Sequence, residues 1–493
     1  MNPMKNMKHL MTSSIFLSLA LCVVAQEEAY YQIETFPQSD DPELKLEVSA
    51  ILPKKDGKMM VATRTGDVFV IDDPYGDPAK AKFSKWARGL SHPLGLVELD
   101  GWIYTSQRAE VTRMKDSDED GHADIYETVC DGWEISGNYH EYNFGPRLDQ
   151  DGNLWVTLNK PFGPEPYGRA HWRGWAIKVD PRTGVWKPIA TGLRSPAGVE
   201  VSPWNEVFYT DNQGEWCNAS KLSHIEFGDY HGHPHGLPTI EKAGAPFNSI
   251  KTPETGWWMK DVKDHIPEFK MPAVWFPYDK MGKSPSGIRW DLTEGKFGPF
   301  AGQLFVGDQH HAWVMRVFLE KVDGHWQGAC FRFREGYACG IIRIAFGNDS
   351  SLFVGMSNAG WSGRGNRPWG LQRTRWTGKV PFEVHSMKAR TGGFELHFTE
   401  GVDKSTAEDV ASYKMSSYTY KLRKDYGGPE EDVKELAIRS AKVSGDGKTV
   451  TLSVEGLKEG YVHELHLEGV RSGKGQPLLH DEAYYTLVNI PGR

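Results

Sequence analysis

The sequence predicts an all-β protein, a six-bladed β-propeller followed by a C-terminal immunoglobulin-like β-sandwich. Three observations carry that expectation. A turn residue followed by a short apolar and aromatic run recurs six times, as Gly57-KMMVAT, Gly101-WIYTS, Gly152-NLWVTL, Asn205-EVFYTD, Gly302-QLFVGD and Ser350-SLFVGM. Each run alternates or stays apolar over the length of a strand, and no neighbouring segment shows a long helical period. The units between copies are uneven and large enough for four strands with inserted loops, as propeller blades are. Lastly, the tryptophan-rich character ends near Pro381. Beyond it come hairpin strands such as Gly393-FELHF and Thr449-VTLSV, the latter entered by the turn Asp446-Gly447.

Taken in order, the chain opens with Lys5 and Lys8 ahead of the apolar stretch Ile15 to Ala25. A basic stretch leading into a short apolar one is the pattern of a secretory leader, too short to cross a bilayer comfortably. Residues 1–25 are read as a signal peptide cut before Gln26. Cys22 could mark a lipoprotein, but Leu21 is too bulky for the position ahead of a lipid-modified cysteine, so lipid anchoring is not expected. No later segment is apolar over the length of a membrane helix. The expected product is exported, periplasmic or extracellular, without a transmembrane segment. The formal charge of -8 becomes -10 when the leader takes Lys5 and Lys8 with it, and this acidic balance argues against nucleic acid as a partner. Cys130, Cys217, Cys330 and Cys339 remain, an even number that suits an oxidising compartment and leaves three pairings open. None belongs to a C-x-x-C-H haem site, so a redox function would need a separate electron-acceptor protein.

The propeller is expected over 26–382. Within it, residues 116–127 read DSDEDGHADIYE. That places Asp116, Asp118, Asp120, Asp124 and Glu127 at the oxygen-ligand positions of an EF-hand-type loop, with Gly121 where the backbone must turn and the His122 carbonyl at the seventh position. A hard cation with six to eight oxygen ligands needs this alternation, so calcium is the expected metal. All ligands being local in sequence, the ion is expected to be structural. The sandwich is expected over 383–493, ending in the strand Ala483-YYTLVNIP.

Two positions suggest chemistry. His140, in Asn138-YHEYN before Gly145-PRL, is a general-base candidate. Arg194, in Thr191-GLRSPAG, puts a permanent cation on the next blade, able to clamp a carboxylate or a quinone oxygen. Asn212 follows in Tyr209-TDN. His310 and His311 point to opposite faces if they lie on a strand, so at most one joins any site. His231, His233 and His235 lack acids or cysteines nearby in sequence, and a loop lining the propeller mouth is the expected role. Among Trp257, Trp258, Trp275, Trp361 and Trp369 some could stack on sugar rings, with most filling the core. Paired carboxylates of the glycosidase kind are not evident.

The run Gly192 to Val199 resembles the G-x-R-N-P-x-G signature of the soluble quinoprotein glucose/sorbosone dehydrogenases, and His140 to Leu148 resembles their H-x-x-G-R-L segment. More closely, Trp275-FPYDKMG, Gly295-KFGPFAGQLFVGDQ and Trp369-GLQRTRWTGKVPFE resemble phrases of planctomycete and verrucomicrobial propeller proteins labelled membrane-bound dehydrogenases. The resemblance implies a six-bladed propeller using pyrroloquinoline quinone (PQQ) and calcium to oxidise a sugar, a polysaccharide-derived small molecule or another alcohol. It gives His140 the part of catalytic base, Arg194 the parts of binding the cofactor and, as a catalytic residue, of stabilising its developing negative oxygen, and Asn212 a part in cofactor binding. The sequence departs from the pattern at Ser195, where the family has asparagine, and at Ala197, and by a longer spacing from His140 to Arg147. The alternative is a non-catalytic propeller that binds glycan or protein.

Overall fold

A computed structural model of the chain describes residues 26–37, 45–163, 170–242 and 244–492. The leader expected over 1–25 lies outside the described residues. Among these residues the chain is all-β, and six four-stranded antiparallel ladders succeed one another along it. Each of the six sequence repeats forms the second strand of one ladder: Met59–Thr63, Trp102–Ser106, Leu154–Leu158, Val207–Asp211, Leu304–Asp308 and Leu352–Ser357. The turn residue ahead of each strand explains the repeat. Gly57, Gly101, Gly152, Asn205, Gly302 and Ser350 all take φ between +66° and +88°, the left-handed region that favours glycine. Five of the six second strands are buried along their whole length, and the sixth, Trp102–Ser106, is buried except at Trp102. A strand covered on both faces reads as an unbroken apolar run, as these do.

The first strands of the ladders are Val48–Pro53, Val97–Leu99, Asn143–Leu148, Gly198–Val201, Pro285–Trp290 and Ile341–Phe346. They contact one another in turn from Val97–Leu99 through to Ile341–Phe346, which also meets Val48–Pro53, and the first two ladders share a core at Ala50, Leu96 and Ile103, so the ring returns to its start. The approach is close. A Cβ on Gly198 would stand 2.0 Å from the Ser286 carbonyl oxygen, so only glycine fits there. Arg343 ties the axis together, its Nη1 donating to the Ala197 carbonyl at 2.9 Å and its Nε to the Leu94 carbonyl at 3.0 Å. The last ladder is completed from the other end of the chain: Tyr31–Thr35 pairs antiparallel with Trp369–Trp376, setting Tyr31 opposite Trp376.

After residue 383 the chain forms a second core between two sheets. One comprises Val384–Arg390, Gly393–Phe398, Thr449–Val454 and Ile438–Val443. The other comprises Glu482–Leu487, Tyr461–His466, Lys414–Thr419 and Glu431–Leu436, and it does not stand alone. Glu482–Leu487 pairs with His325–Arg334 of the fifth ladder, so one eight-stranded sheet runs through both parts of the molecule. Ala329 and Phe331 of the fifth ladder sit in the C-terminal core with Met387, Phe394, Leu452 and Tyr485.

The four cysteines are buried free thiols. Burial raises the pKa of each, which leaves them unreactive. No helix among the described residues is long and apolar enough to cross a membrane.

Candidate functional site

In each ladder the first strand starts, and the second ends, at the same face of the ring, because successive strands run in opposite directions. The segments at this face converge on an open cleft. His140 reaches it from ahead of Asn143–Leu148, Arg194 from ahead of Gly198–Val201, and Asn212 from just past Val207–Asp211. The structure thus brings together all three residues assigned to base or cofactor from sequence. Phe162, Trp361 and Tyr426 supply aromatic walls.

His140 is locked by two hydrogen bonds. Its Nδ1 lies 2.8 Å from the Lys160 carbonyl oxygen, which can only accept, so Nδ1 carries the proton. Nε2 therefore presents a lone pair, and it takes a hydrogen bond from the Ser195 hydroxyl at 3.1 Å. Burial, helped by the positive charge of Arg194, pushes His140 down to about 3. The imidazole is neutral at any working pH. Ser195, the departure from the family pattern, is thus the partner of the candidate base, and its backbone N–H donates to Asp211 Oδ1 at 2.6 Å.

The Arg194 guanidinium lies 5.1 Å from the centroid of Tyr426 and 5.8 Å from that of Phe162. Its Nε and Nη2 each donate to Glu215 at 3.1 Å. Lys160 adds a second cation 3.5 Å from the same carboxylate. Beneath the cleft the axis is positive. Arg147 and Arg343 are buried there and Arg289 is half-buried, and among the described residues Glu200 is the one acid paired with any of them. Arg343 satisfies itself on backbone carbonyls and sits 4.7 Å from the ring of Phe144, a residue of the cleft floor. Two amide oxygens, Asn159 Oδ1 and Asn212 Oδ1, are buried at the cleft without a hydrogen-bond partner.

These features suit a planar, anionic, oxygen-rich ring such as PQQ. Aromatic faces flank the cleft and positive charge underlies it, while the two free amide oxygens are acceptors and call for N–H or O–H donors. Arg194 could hold the anionic oxygens of such a ring, and Asn212 and Asn159 could accept from its N–H. Arg194 is shared with Glu215, so a bound carboxylate has to compete for it.

The EF-hand-type loop lies elsewhere. It joins Val111–Lys115 to Ile125–Cys130, the third and fourth strands of the second ladder, and so stands at the face opposite the cleft. Asp116, Asp118 and Asp120 bring carboxylate oxygens within 4.8 Å of one another. Asp116 Oδ1 is buried with no partner, as an oxygen reserved for a cation would be, so this part of the loop fits the ion. The other two assigned carboxylates are turned to protein groups. Asp124 accepts from the Ser117 N–H at 2.8 Å, and Glu127 accepts from Arg113 Nε at 2.7 Å across the strand pair. His122 is exposed, and its backbone N–H donates to Asp120 Oδ1 at 2.8 Å.

The remaining sequence candidates contribute little. His231 and His233 are buried beneath the cleft and do not line it. His311 stacks on Trp313 at 4.0 Å, while His310 binds the Ser362 carbonyl oxygen. Of the five tryptophans singled out, Trp361 reaches the cleft and Trp275 is core. Sequence reasoning missed Tyr426 altogether, because it arrives from the C-terminal part of the chain.

A family model described as a domain of unknown function, DUF7133, matches residues 31–248. No curated protein matches the chain in sequence. Among solved structures, a glucose dehydrogenase is 13% identical, covering 71% of this chain and 100% of its own, with a TM-score of 0.50. A carbohydrate-active enzyme of family AA12 from Trichoderma reesei is also 13% identical, covering 70% of this chain and 96% of its own, at a TM-score of 0.50. The PQQ-bound aldose sugar dehydrogenase of Streptomyces coelicolor is 14% identical, covering 70% and 98%, at 0.49. At such identity the likeness is one of fold, and the fold is of propeller type.

Proposed function

We propose that the chain is an exported quinoprotein-type dehydrogenase that oxidises a sugar or another alcohol. In this reading residues 26–382 form a six-bladed propeller, 383–493 an immunoglobulin-like sandwich built onto it, and electrons leave to a separate acceptor protein. The observation that carries the reading is the meeting of His140, Arg194 and Asn212 in one aromatic cleft at the ring's mouth.

PQQ, when bound, supplies an acceptor for the hydride of an alcohol carbon. The chain does the rest. Arg194 and Asn212 orient the ring and meet its polar atoms. His140 takes the hydroxyl proton of the substrate at Nε2, which is free of a proton because Nδ1 is committed to the Lys160 carbonyl. To reach Nε2 the substrate hydroxyl replaces the hydrogen bond from Ser195. Asp211 holds the Ser195 and Arg194 backbone amides and so keeps the two halves of the site in register. Arg147, Arg289 and Arg343 along the axis would stabilise negative charge developing in the site. A calcium ion held by Asp116, Asp118 and Asp120 is structural, being at the opposite face.

The test is reconstitution with PQQ and calcium, followed by a sugar panel with an artificial electron-accepting dye. Dye reduction that disappears in His140→Ala is the expected result. Absence of both cofactor binding and dye reduction contradicts it, and sugar binding that survives His140→Ala and Arg194→Ala without any oxidation favours a non-catalytic glycan-binding propeller.

A further inference from the structure

We propose that the segment joining Lys414–Thr419 to Glu431–Leu436 is the sugar-recognition wall of the cleft, with Tyr426 as the platform on which a neutral pyranose ring stacks. This rests on the sugar-oxidising reading above and assigns it a part from outside the ring of ladders.

The segment is fitted to the mouth by backbone. Tyr426 bridges to Glu215, and Lys421 to Trp258. The Trp216 N–H donates to the Arg423 carbonyl at 2.9 Å, the Gly427 N–H to the Gly214 carbonyl at 3.0 Å, and the Gly428 N–H to the Asn218 carbonyl at 3.0 Å. Two glycines make the approach feasible. A Cβ on Gly428 would stand 2.1 Å from Asn218 Nδ2, and one on Gly427, where φ is +70°, 2.6 Å from Gln213 Nε2. Lys280 ties the end of the segment to the strand Tyr461–His466 by bonding Glu430 at 3.0 Å and Glu464 at 2.8 Å. The eight-stranded sheet fixes the whole sandwich to the ring. Tyr426 is therefore held at the mouth rather than swinging across it.

What it presents there is chemistry for a sugar. The ring is 6.3 Å from Phe162, yet half of the residue, 50%, remains exposed. Trp361, 44% exposed, and Tyr139, 52% exposed, line the same cleft. Large aromatic residues left open together at a concave site mark a ligand surface, and the C–H faces of a pyranose stack on such rings. Gln213 and Gln309 beside them offer amide groups to hydroxyls without adding charge. The cations of this lining are already paired, Arg194 with Glu215 at 3.1 Å and Lys283 with Asp279 at 3.1 Å, so an uncharged occupant suits it.

The experiment titrates the full chain with glucose and other neutral monosaccharides by calorimetry, comparing wild type, Tyr426→Phe and Tyr426→Ala, with a parallel PQQ titration. Loss of one stacking ring should weaken sugar binding roughly fivefold in Tyr426→Ala. Tyr426→Phe, which keeps the ring, should match wild type for both ligands, and in Tyr426→Ala any loss of PQQ affinity should be smaller than the loss of sugar affinity, because Phe162 and Trp361 still line the cleft. Equal sugar affinity in wild type and Tyr426→Ala overturns the wall while leaving the sugar-oxidising reading intact. Parallel loss of PQQ and sugar affinity overturns it too, by showing that Tyr426 acts through Arg194. Absence of sugar binding by the wild type overturns both readings.

Discussion

His140 sits where its neighbours decide its protonation. An exposed histidine changes charge near pH 6.5, but burial and Arg194 hold this one at about 3. The base form is present throughout the neutral range, so the pH profile of sugar oxidation should show no limb near 6.5. A limb there, abolished in His140→Asn, would mean that the imidazole is solvated and titrating. Glu215 works against cofactor binding by occupying Arg194. Glu215→Gln removes that competitor, and PQQ should bind on the order of threefold more tightly, since partly exposed ion pairs contribute a fraction of a kcal/mol to about one. His140 and Arg194 were legible in sequence because each sits in a short motif. The Ser195 hydroxyl on Nε2 was not, because it joins residues that are far apart in the chain.

At the level of single elements, the turn ahead of each second strand is the most legible feature. A positive φ is a local demand, and glycine, asparagine or serine answers it wherever the ladder recurs. Gly101→Ala tests it cleanly. A Cβ there meets nothing within 4 Å, so the cost is backbone strain alone, about 1 kcal/mol by denaturant unfolding. The EF-hand-type loop was only half legible. Its spacing placed the first three aspartates, which the structure gathers. Pairing across the strands, which spacing does not reveal, gives Glu127 to Arg113. Asp120→Asn should therefore lower calcium affinity about tenfold, as the loss of one charged ligand does, whereas Glu127→Gln should change it little. Calorimetric titration of the two variants decides, and a large loss in Glu127→Gln would show that the loop closes around the ion with its twelfth position. Calcium should also raise the melting temperature, because the loop docks on the first ladder through the Ala123 N–H and the Trp86 carbonyl.

Across the whole molecule, the sequence break near Pro381 marked a change of architecture but not its consequence. The fifth ladder's outer strand belongs to both halves, a pairing between residues about 330 and 484 that no local pattern announces. A second seam lies in a buried cluster joining the chain's two ends. His480 binds Glu383 through Nδ1 at 2.6 Å and Glu27 through Nε2 at 2.9 Å, and Glu27 in turn takes Arg334 at 2.9 Å. Burial alone would lower His480, but the two carboxylates outweigh it and hold it up at about 10. A raised histidine contributes stability that is complete below its unfolded value of 6.5 and lost as pH climbs through 10. Glu27 is held low in spite of burial, chiefly by His480 and Arg334, so its contribution is present above 4.5 and lost as pH falls below it. The melting temperature of wild type minus that of His480→Gln should be greatest near pH 5 to 6 and shrink toward pH 10, and a difference that grows with pH would refute a charged His480.

The proposed function turns on the mouth of the ring, where His140, Arg194 and Asn212 line one aromatic cleft. The most direct measurement is an equilibrium titration of PQQ, in buffer containing calcium, into wild type and Arg194→Ala, read by quenching of tryptophan fluorescence. Saturable binding in wild type, weakened about tenfold or more when the charged hydrogen bonds of Arg194 are removed, is the result expected. Equal binding by the two proteins, or no saturable binding by either, would contradict the placement of the cofactor between Arg194 and His140.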